Sequence, residues 1–141
     1  MKYTFIIAMI MMMCSASFLS ASQSTDPPGI NTEVNFYFPK NVYHFLIAEN
    51  IQEYYSDLKV YLDANQDKQI ELTGFADDGK NPAWNERVSK YRARKVRDSL
   101  VKAGISKDRI KIDYKGKEMP IAQDDSPEEL AKNRRVELRV L

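Results

Sequence analysis

Four short segments of the chain alternate apolar and polar residues with a period of two, and this pattern restricts the fold more than any other feature. Such alternation is typical of β-strands that bury one face and expose the other to water. A sheet covered by helices on both faces would show continuous apolar runs, so the alternation argues against a doubly wound sheet. The apolar positions are Val34, Phe36 and Phe38; Ile70 and Leu72; Ile110, Ile112 and Tyr114; and Val136, Leu138 and Val140.

Two longer segments repeat apolar residues at helical spacing. One, at 47–62, separates the first two strands, and the other, at 82–103, follows the second strand and ends before Gly104, which suits a left-handed terminus. Ser126 and Glu129 predict a short third helix through an N-cap and a capping box. The order strand, helix, strand, helix, strand, strand predicts an α+β two-layer sandwich, in which two helices cover one face of a four-stranded sheet. The strand order stays open.

The first residues have the composition of an export signal. Lys2 gives a positive start, residues 5–13 are apolar, and small residues follow. An uncleaved membrane anchor is the weaker alternative, because the apolar stretch is short for a bilayer. We therefore expect a signal peptide at 1–22, a flexible linker at 23–32 and a single domain at 33–141.

Cys14 is the only cysteine, so an internal disulfide is excluded. Two fates stay open for it. It is removed with the leader, or it is the lipid-bearing first residue of a mature lipoprotein, and only in that second case would the protein be held at a membrane. Met13 precedes it where lipoprotein processing usually requires a small residue, which favours removal.

Charge and composition argue against several functional classes. The chain has 21 basic and 20 acidic side chains, so no overall charge favours nucleic acid. The second predicted helix is basic, but only Tyr91 lies among its charges, and we interpret that surface as a solvated face. His44 is the sole histidine, which leaves neither a zinc cluster nor a nucleophilic constellation, and we predict no cofactor and no enzymatic activity.

Arg92 occupies the apolar stripe of the second predicted helix, where a charged side chain needs an explanation. Its neighbours at four-residue spacing, Val88 and Val96, are apolar, so the guanidinium points toward the core. Arginine stays protonated, and burying it is costly unless an acceptor meets it. The sequence offers Asp77, in the loop before the helix. On this pattern alone the two residues could simply pair with each other.

Residues 73–93 read T-G-F-A-D-D-G-K-N-P-A-W-N-E-R-V-S-K-Y-R-A. This segment resembles the OmpA-like C-terminal domain, the peptidoglycan-binding module also found in Pal lipoproteins and MotB stators. The family has a Gly and an Asp after its second strand, then an Asn and an Arg-Ala pair at set distances. Gly74, Asp77, Asn85, Arg92 and Ala93 occupy those positions. A second match, N-R-R-V-E-L at 133–138, lies where the family enters its last strand, and two ordered motifs are more specific than either alone.

The resemblance implies a four-stranded mixed sheet and a ligand-binding role for four residues. In the family, the Asp and the Arg grip meso-diaminopimelate of the peptidoglycan stem peptide, whose one carbon carries both an ammonium and a carboxylate. Asp77 would take the ammonium and Arg92 the carboxylate. Asn85 would orient Asp77 or contact the ligand backbone, and Arg134 would add a second carboxylate contact. We accordingly expect Asp77→Ala and Arg92→Ala to fold normally and to lose peptidoglycan binding.

Two positions depart from the family pattern. Phe75 replaces the common His, which predicts an apolar wall, and Pro39 stands where many relatives have an acidic or amide residue.

The sequence therefore predicts a non-enzymatic periplasmic module that tethers the outer membrane or an envelope assembly to the cell wall. The rivals are an OmpA-like protein-interaction module that does not bind peptidoglycan, and a wall hydrolase, for which the sequence offers no acid/base pair.

Overall fold

The computed structural model describes residues 30–46 and 49–141; the predicted signal peptide, Cys14 and most of the predicted linker lie outside these ranges. Within them, no helix combines the length and the apolar composition needed to cross a membrane. The elements are β1 (Glu33–Tyr37), α1 (Ile51–Ala64), β2 (Ile70–Gly74), α2 (Pro82–Lys102), a 3-10 turn (Lys107–Arg109), β3 (Ile110–Tyr114), α3 (Pro127–Lys132) and β4 (Arg135–Val140).

The four strands form one mixed sheet in the order β1-β4-β2-β3. β2 and β3 are parallel, which requires a crossover, and α2 supplies it. β4 runs antiparallel to both of its neighbours and so inserts between β1 and β2, although it comes last in the chain. The predicted βαβαββ sandwich is thus confirmed, and the strand order that the sequence left open is now defined.

The core lies between the two long helices and one face of the sheet. Phe36, Leu72 and Leu138 project from the strands, and Leu58 and Val96 meet them from α1 and α2, all nearly inaccessible to solvent. The opposite face carries the polar residues that alternate with them, as the period of two predicts. One layer of helices is therefore enough to bury the apolar side of the sheet.

The helix boundaries follow local sequence signals. α2 begins after Asn81, whose side chain accepts a hydrogen bond from the Trp84 amide, and it ends before Gly104, whose φ is 94°. Ser126 caps α3 by accepting from the Glu129 amide, as predicted. In a capping box the Glu129 carboxylate would also accept a hydrogen bond from the Ser126 amide. Here it accepts from the Gln123 amide instead.

Gly74 ends β2 at a point where α2 crosses very close to the strand. A Cβ built at this position would lie 2.2 Å from the Ser89 carbonyl oxygen, which is backbone and cannot rotate away. The glycine of the T-G-F-A-D motif therefore allows the close approach of helix and strand that positions the following loop on α2.

We predict that Gly74→Ala lowers the free energy of unfolding by about 1–3 kcal/mol or more, because the added methyl group overpacks the helix–strand contact. Gly79→Ala is the matched control, since nothing lies within 4 Å of a Cβ there. Urea unfolding followed by circular dichroism measures both. Equal midpoints for the two variants would show that the close approach does not restrict this position.

Candidate functional site

Arg92 is completely buried, and its acidic partner is Asp78. The guanidinium donates from Nη1 to Asp78 Oδ2 at 2.6 Å and from Nη2 to Asp78 Oδ1 at 3.0 Å. The side chains are 0% and 1% exposed. This two-pronged geometry matches the planar fork of arginine to a carboxylate. The prediction that Arg92 faces the core and needs an acid is confirmed.

The same pair joins two connecting segments to α2. Arg92 Nη2 also donates to the carbonyl oxygens of Pro39 and Val42, at 3.2 and 3.1 Å. Asp78 Oδ1 accepts a further hydrogen bond from the Asn41 amide at 2.8 Å. The β1–α1 connection and the β2–α2 loop are therefore held together through one buried ion pair.

The prediction that Asp77 meets Arg92 is wrong. Successive side chains of a non-helical segment tend to point in opposite directions, and here Asp78 turns inward to Arg92 while Asp77 turns toward α3. The buried pair also argues against the expectation that Arg92→Ala folds normally. Removing Arg92 would leave the Asp78 carboxylate buried without its countercharge.

Asn85 orients the loop that carries both aspartates. Its Oδ1 accepts from the Asp78 amide at 3.1 Å, and its Nδ2 donates to the Gly79 carbonyl at 2.8 Å. The Asn85 side chain is 1% exposed, and backbone groups engage both its oxygen and its nitrogen. Asn85 thus defines the path of the Asp77–Asp78 loop, which agrees with the orienting role among those expected for it.

Asp77 lies in a separate polar cluster formed by the loop, α3 and the β3–α3 connection. Its carboxylate accepts from Asn133 Nδ2 at 3.0 Å and pairs with Lys117 Nζ at 2.8 Å. The Asn133 side chain is itself anchored, since its Oδ1 accepts from the amides of Ile121 and Ala122. The side chain of Lys117 is 55% exposed, so this ammonium reaches Asp77 from solvent.

Arg134 is the guanidinium that contributes positive charge at Asp77. It is 9% exposed and is held by hydrogen bonds from Nε to the Phe38 carbonyl and from Nη1 to the Leu130 carbonyl. The next residue, Arg135, lies on the other side of β4, with its guanidinium 3.9 Å from the centroid of the Phe75 ring. Phe75 is buried beneath this guanidinium, and its expected role as an apolar wall of the ligand site stays a prediction.

The surroundings of Asp77 stabilise its charged form. Burial pushes the pKa of the carboxyl upward, but hydrogen bonds from Lys117 and Asn133 and the charges of Lys117 and Arg134 outweigh it. The pKa therefore lies below its ordinary value of 3.8. Asp77 is anionic at neutral pH, as an acceptor for an ammonium group must be.

An open cleft of about 610 Å³ adjoins this cluster. It lies between the start of α2 and the segment after β3, and Lys80, Glu86, Tyr114 and Lys117 contribute to its walls. Lys117 thus connects the carboxylate of Asp77 to a solvent-filled space of ligand size.

The structure divides the four predicted ligand residues into two groups. Asp77 pairs with Lys117 and also feels the positive charge of Arg134, whereas Asn85 and Arg92 are engaged around Asp78. Sequence reasoning missed three participants: Asp78, Asn133 and Lys117. The first two were visible inside the quoted motifs, but nothing in the pattern identified Lys117, because the path of the β3–α3 connection brings it in.

Other polar residues that the sequence singled out have simpler surroundings. His44 is exposed in the β1–α1 connection. Asp124 accepts a hydrogen bond from the Ser126 amide, which is ordinary turn chemistry for an aspartate. Among the described residues, no group of histidine, cysteine or acidic side chains is arranged to hold a metal ion.

Residues 37–134 match the OmpA family. The chain belongs to this family. It is 37% identical over 83 residues to outer membrane protein A of Bordetella avium, a match that covers 55% of this chain and 43% of that protein. It is 38% identical over 79 residues to the peptidoglycan-binding protein ArfA of Mycobacterium tuberculosis, covering 56% of this chain and 24% of ArfA. The chain thus spans less than half the length of these curated relatives.

Solved structures confirm the fold. The peptidoglycan-associated lipoprotein of Burkholderia pseudomallei superimposes with a TM-score of 0.67 at 24% identity, covering 76% of this chain and 89% of that one. The C-terminal domain of Helicobacter pylori MotB gives a TM-score of 0.62 at 24% identity, covering 77% and 84%. The OmpA-type two-layer sandwich is therefore the architecture of this chain.

We predict that Asp78→Asn lowers the free energy of unfolding by about 3–5 kcal/mol, because it leaves the buried Arg92 without a countercharge. Asp113→Asn is the matched control. Asp113 pairs with Lys115 at 2.9 Å on the open face of the sheet, and both side chains are well exposed, so its loss should cost no more than about 1 kcal/mol. Chemical unfolding measures both variants. Similar losses for the two would contradict the structural role of the Arg92–Asp78 pair.

We predict that Lys117→Met raises the pKa of Asp77, because it removes a hydrogen bond and a positive charge from the carboxylate. Carbon-detected NMR of the Asp77 carboxyl group during acid titration measures the change. Since the folded-state pKa is depressed, the stability contributed by this pair is complete above pH 3.8 and is lost as the pH falls through the lower folded value.

The control for this titration is Lys115→Met, which should shift the pKa of Asp113 and leave that of Asp77 unchanged. If the titration midpoint of the Asp77 carboxyl group did not move in Lys117→Met, the ion pair between Asp77 and Lys117 would be absent in solution.

Proposed function

We propose that this domain binds peptidoglycan non-covalently through the meso-diaminopimelate of the stem peptide, with Asp77 as the acceptor of the ligand's ammonium group. The observation that carries the proposal is the pairing of Asp77 with Lys117 Nζ at 2.8 Å. A primary ammonium from this chain already occupies the position that the ammonium of a ligand would take. Because the side chain of Lys117 is largely exposed, it can return to water when a ligand replaces it.

Arg134 is the proposed partner of the carboxylate on the same carbon of the ligand. It contributes positive charge at Asp77, and two of its hydrogen bonds hold it in place. A carboxylate and a guanidinium close enough to interact electrostatically are complementary to a zwitterion, in which the opposite charges are adjacent. The displaced Lys117 would remain close enough to add to the attraction.

Arg92 acts in this proposal as a positioning residue. Its guanidinium is enclosed by Asp78 and by the Pro39 and Val42 carbonyls, so it holds the two loops that border Asp77. The direct contact with the ligand carboxylate that the resemblance implied would require the ligand to displace Asp78. Asn85 positions the same loop through its hydrogen bonds to Asp78 and Gly79.

Membership of the OmpA family and the likeness to the peptidoglycan-binding protein ArfA support the proposal. The likeness to outer membrane protein A of Bordetella avium and the predicted export leader both support a role in the cell envelope. We infer that the domain works in the periplasm and holds an outer-membrane or envelope partner at the wall. An anchor at Cys14 stays a proposal that the intact mass of the mature protein would test.

We predict that Asp77→Asn weakens binding to a soluble stem tripeptide containing meso-diaminopimelate by roughly 10- to 150-fold, the equivalent of about 1.5–3 kcal/mol for a charge-assisted hydrogen bond. Isothermal titration calorimetry measures the affinity, and co-sedimentation with purified sacculi measures retention on the intact wall. The amide keeps the shape of the side chain and removes its charge.

Asp113→Asn is again the control, since it removes a lysine-paired aspartate from the open face of the sheet and should bind like the parent. A tripeptide with lysine in place of meso-diaminopimelate tests the carboxylate, because lysine keeps the ammonium and lacks the carboxylate beside it. Equal affinity for the two peptides would refute diaminopimelate recognition. If the parent bound neither peptide nor sacculi, the alternative of a protein-interaction module would hold.

A further inference from the structure

A second surface, which the site around Asp77 does not use, runs along the outer side of α2. Trp84 and Tyr91 line it from the helix, and Tyr43 closes it from the β1–α1 connection. The ring centroids of Tyr43 and Tyr91 lie 4.9 Å apart in an edge-to-face arrangement. The three aromatic side chains keep 37–42% of their surface exposed, around a shallow groove of about 320 Å³. We call this surface the α2 groove.

The charges of the α2 groove all have the same sign. Arg87, Lys90 and Arg94 line it, and no carboxylate does so among the described residues. Lys90 is engaged with Tyr114, since its Nζ lies 4.7 Å from the centroid of that ring. Arg87 and Arg94 are exposed and form no ion pair with any residue in the described part of the chain. Two guanidinium groups are thus free to meet an anion.

The spacing of these two arginines suits an extended occupant. Arg87 and Arg94 are seven positions apart in the sequence, which places them about 10.5 Å apart along the helix axis. Trp84 and Tyr91 have the same spacing, so aromatic and cationic groups recur together along α2. A linear chain that repeats a flat apolar face and a negative charge would match this alternation.

The α2 groove adjoins the cleft beside the proposed diaminopimelate site, because Lys90 of the groove lies over the ring of Tyr114, which lines that cleft. Trp84 precedes Asn85, whose side chain holds the loop that carries Asp77. Tyr43 follows Val42, whose carbonyl accepts from the buried Arg92. A polymer bound at Asp77 would therefore have this groove close beside it.

We propose that the α2 groove binds the glycan strand of the same wall polymer, an inference that rests on the proposed function. The C–H faces of the sugar rings stack on Trp84 and Tyr91. The carboxylates that the polymer carries, on its lactyl groups or stem peptides, pair with Arg87 and Arg94. The protein then holds the wall at two adjacent places, the stem peptide at Asp77 and the sugar chain along α2.

Trp84 gives a direct probe, because it is the only tryptophan of the chain. Soluble glycan strands, from which the stem peptides have been removed, should change its fluorescence in a saturable manner and with a dependence on salt. The stem tripeptide without sugar should leave this fluorescence unchanged. Asp77→Asn should bind the peptide-free glycan like the parent, so the two sites can be tested separately.

The double variant R87Q/R94Q and the single variant Tyr91→Ser should each weaken glycan binding about tenfold or more, because each removes a charge-assisted or stacking contact. Lys102→Gln combined with Lys107→Gln is the charge-matched control, since both lysines are exposed away from the groove. Tyr37→Ser is the aromatic control, because Tyr37 is 39% exposed on β1. Both controls should bind the glycan like the parent.

Three results would overturn the glycan assignment. The first is the absence of any fluorescence response to peptide-free glycan in a parent protein that still binds the stem tripeptide. The second is an equal loss of binding in the control variants. The third is an equal response to vesicles containing phosphatidylglycerol or to an acidic peptide, which would assign the groove to a membrane or a protein partner. None of these results would alter the test of Asp77.

Discussion

The burial of one arginine is the constraint on which the rest of the site depends. Arg92 follows from the helical pattern of α2, and a guanidinium in that position must be fully compensated. Asp78 and two backbone carbonyls provide the compensation, and in doing so they bring the β1–α1 connection and the β2–α2 loop together over the end of the sheet. The geometry of both loops is therefore set by the electrostatic requirements of a residue that solvent does not reach.

The same arrangement leaves Asp77 available for another partner. Two adjacent aspartates serve different purposes because the loop turns them apart, one toward α2 and the other toward α3. Lys117 balances the second charge from the surface. A ligand's ammonium would then exchange with an ammonium of the protein, and the affinity would reflect the difference between two similar contacts. Binding in this manner favours reversible attachment, since the gain from each contact is partly offset.

Much of the architecture could be predicted from the sequence, because it depends on local patterns. The period of two identified all four strands, and Gly104 and Ser126 marked the end of α2 and the start of α3. The strand order could not be predicted, since no local pattern indicates that β4 inserts between β1 and β2. The choice between Asp77 and Asp78 depended on how the loop turns, and the contribution of Lys117 depended on a distant segment. Neither leaves a periodic signal in the sequence.

The central claim is that Asp77 receives the ligand while Arg92 remains enclosed. The most direct measurement is NMR of the domain with isotope-labelled aspartate and arginine side chains, titrated with the meso-diaminopimelate tripeptide. We expect the Asp77 carboxyl resonance to shift with the ligand while the Arg92 Nη resonances keep the positions they have when paired with Asp78. A large shift at Arg92 with an unchanged Asp77 would contradict it.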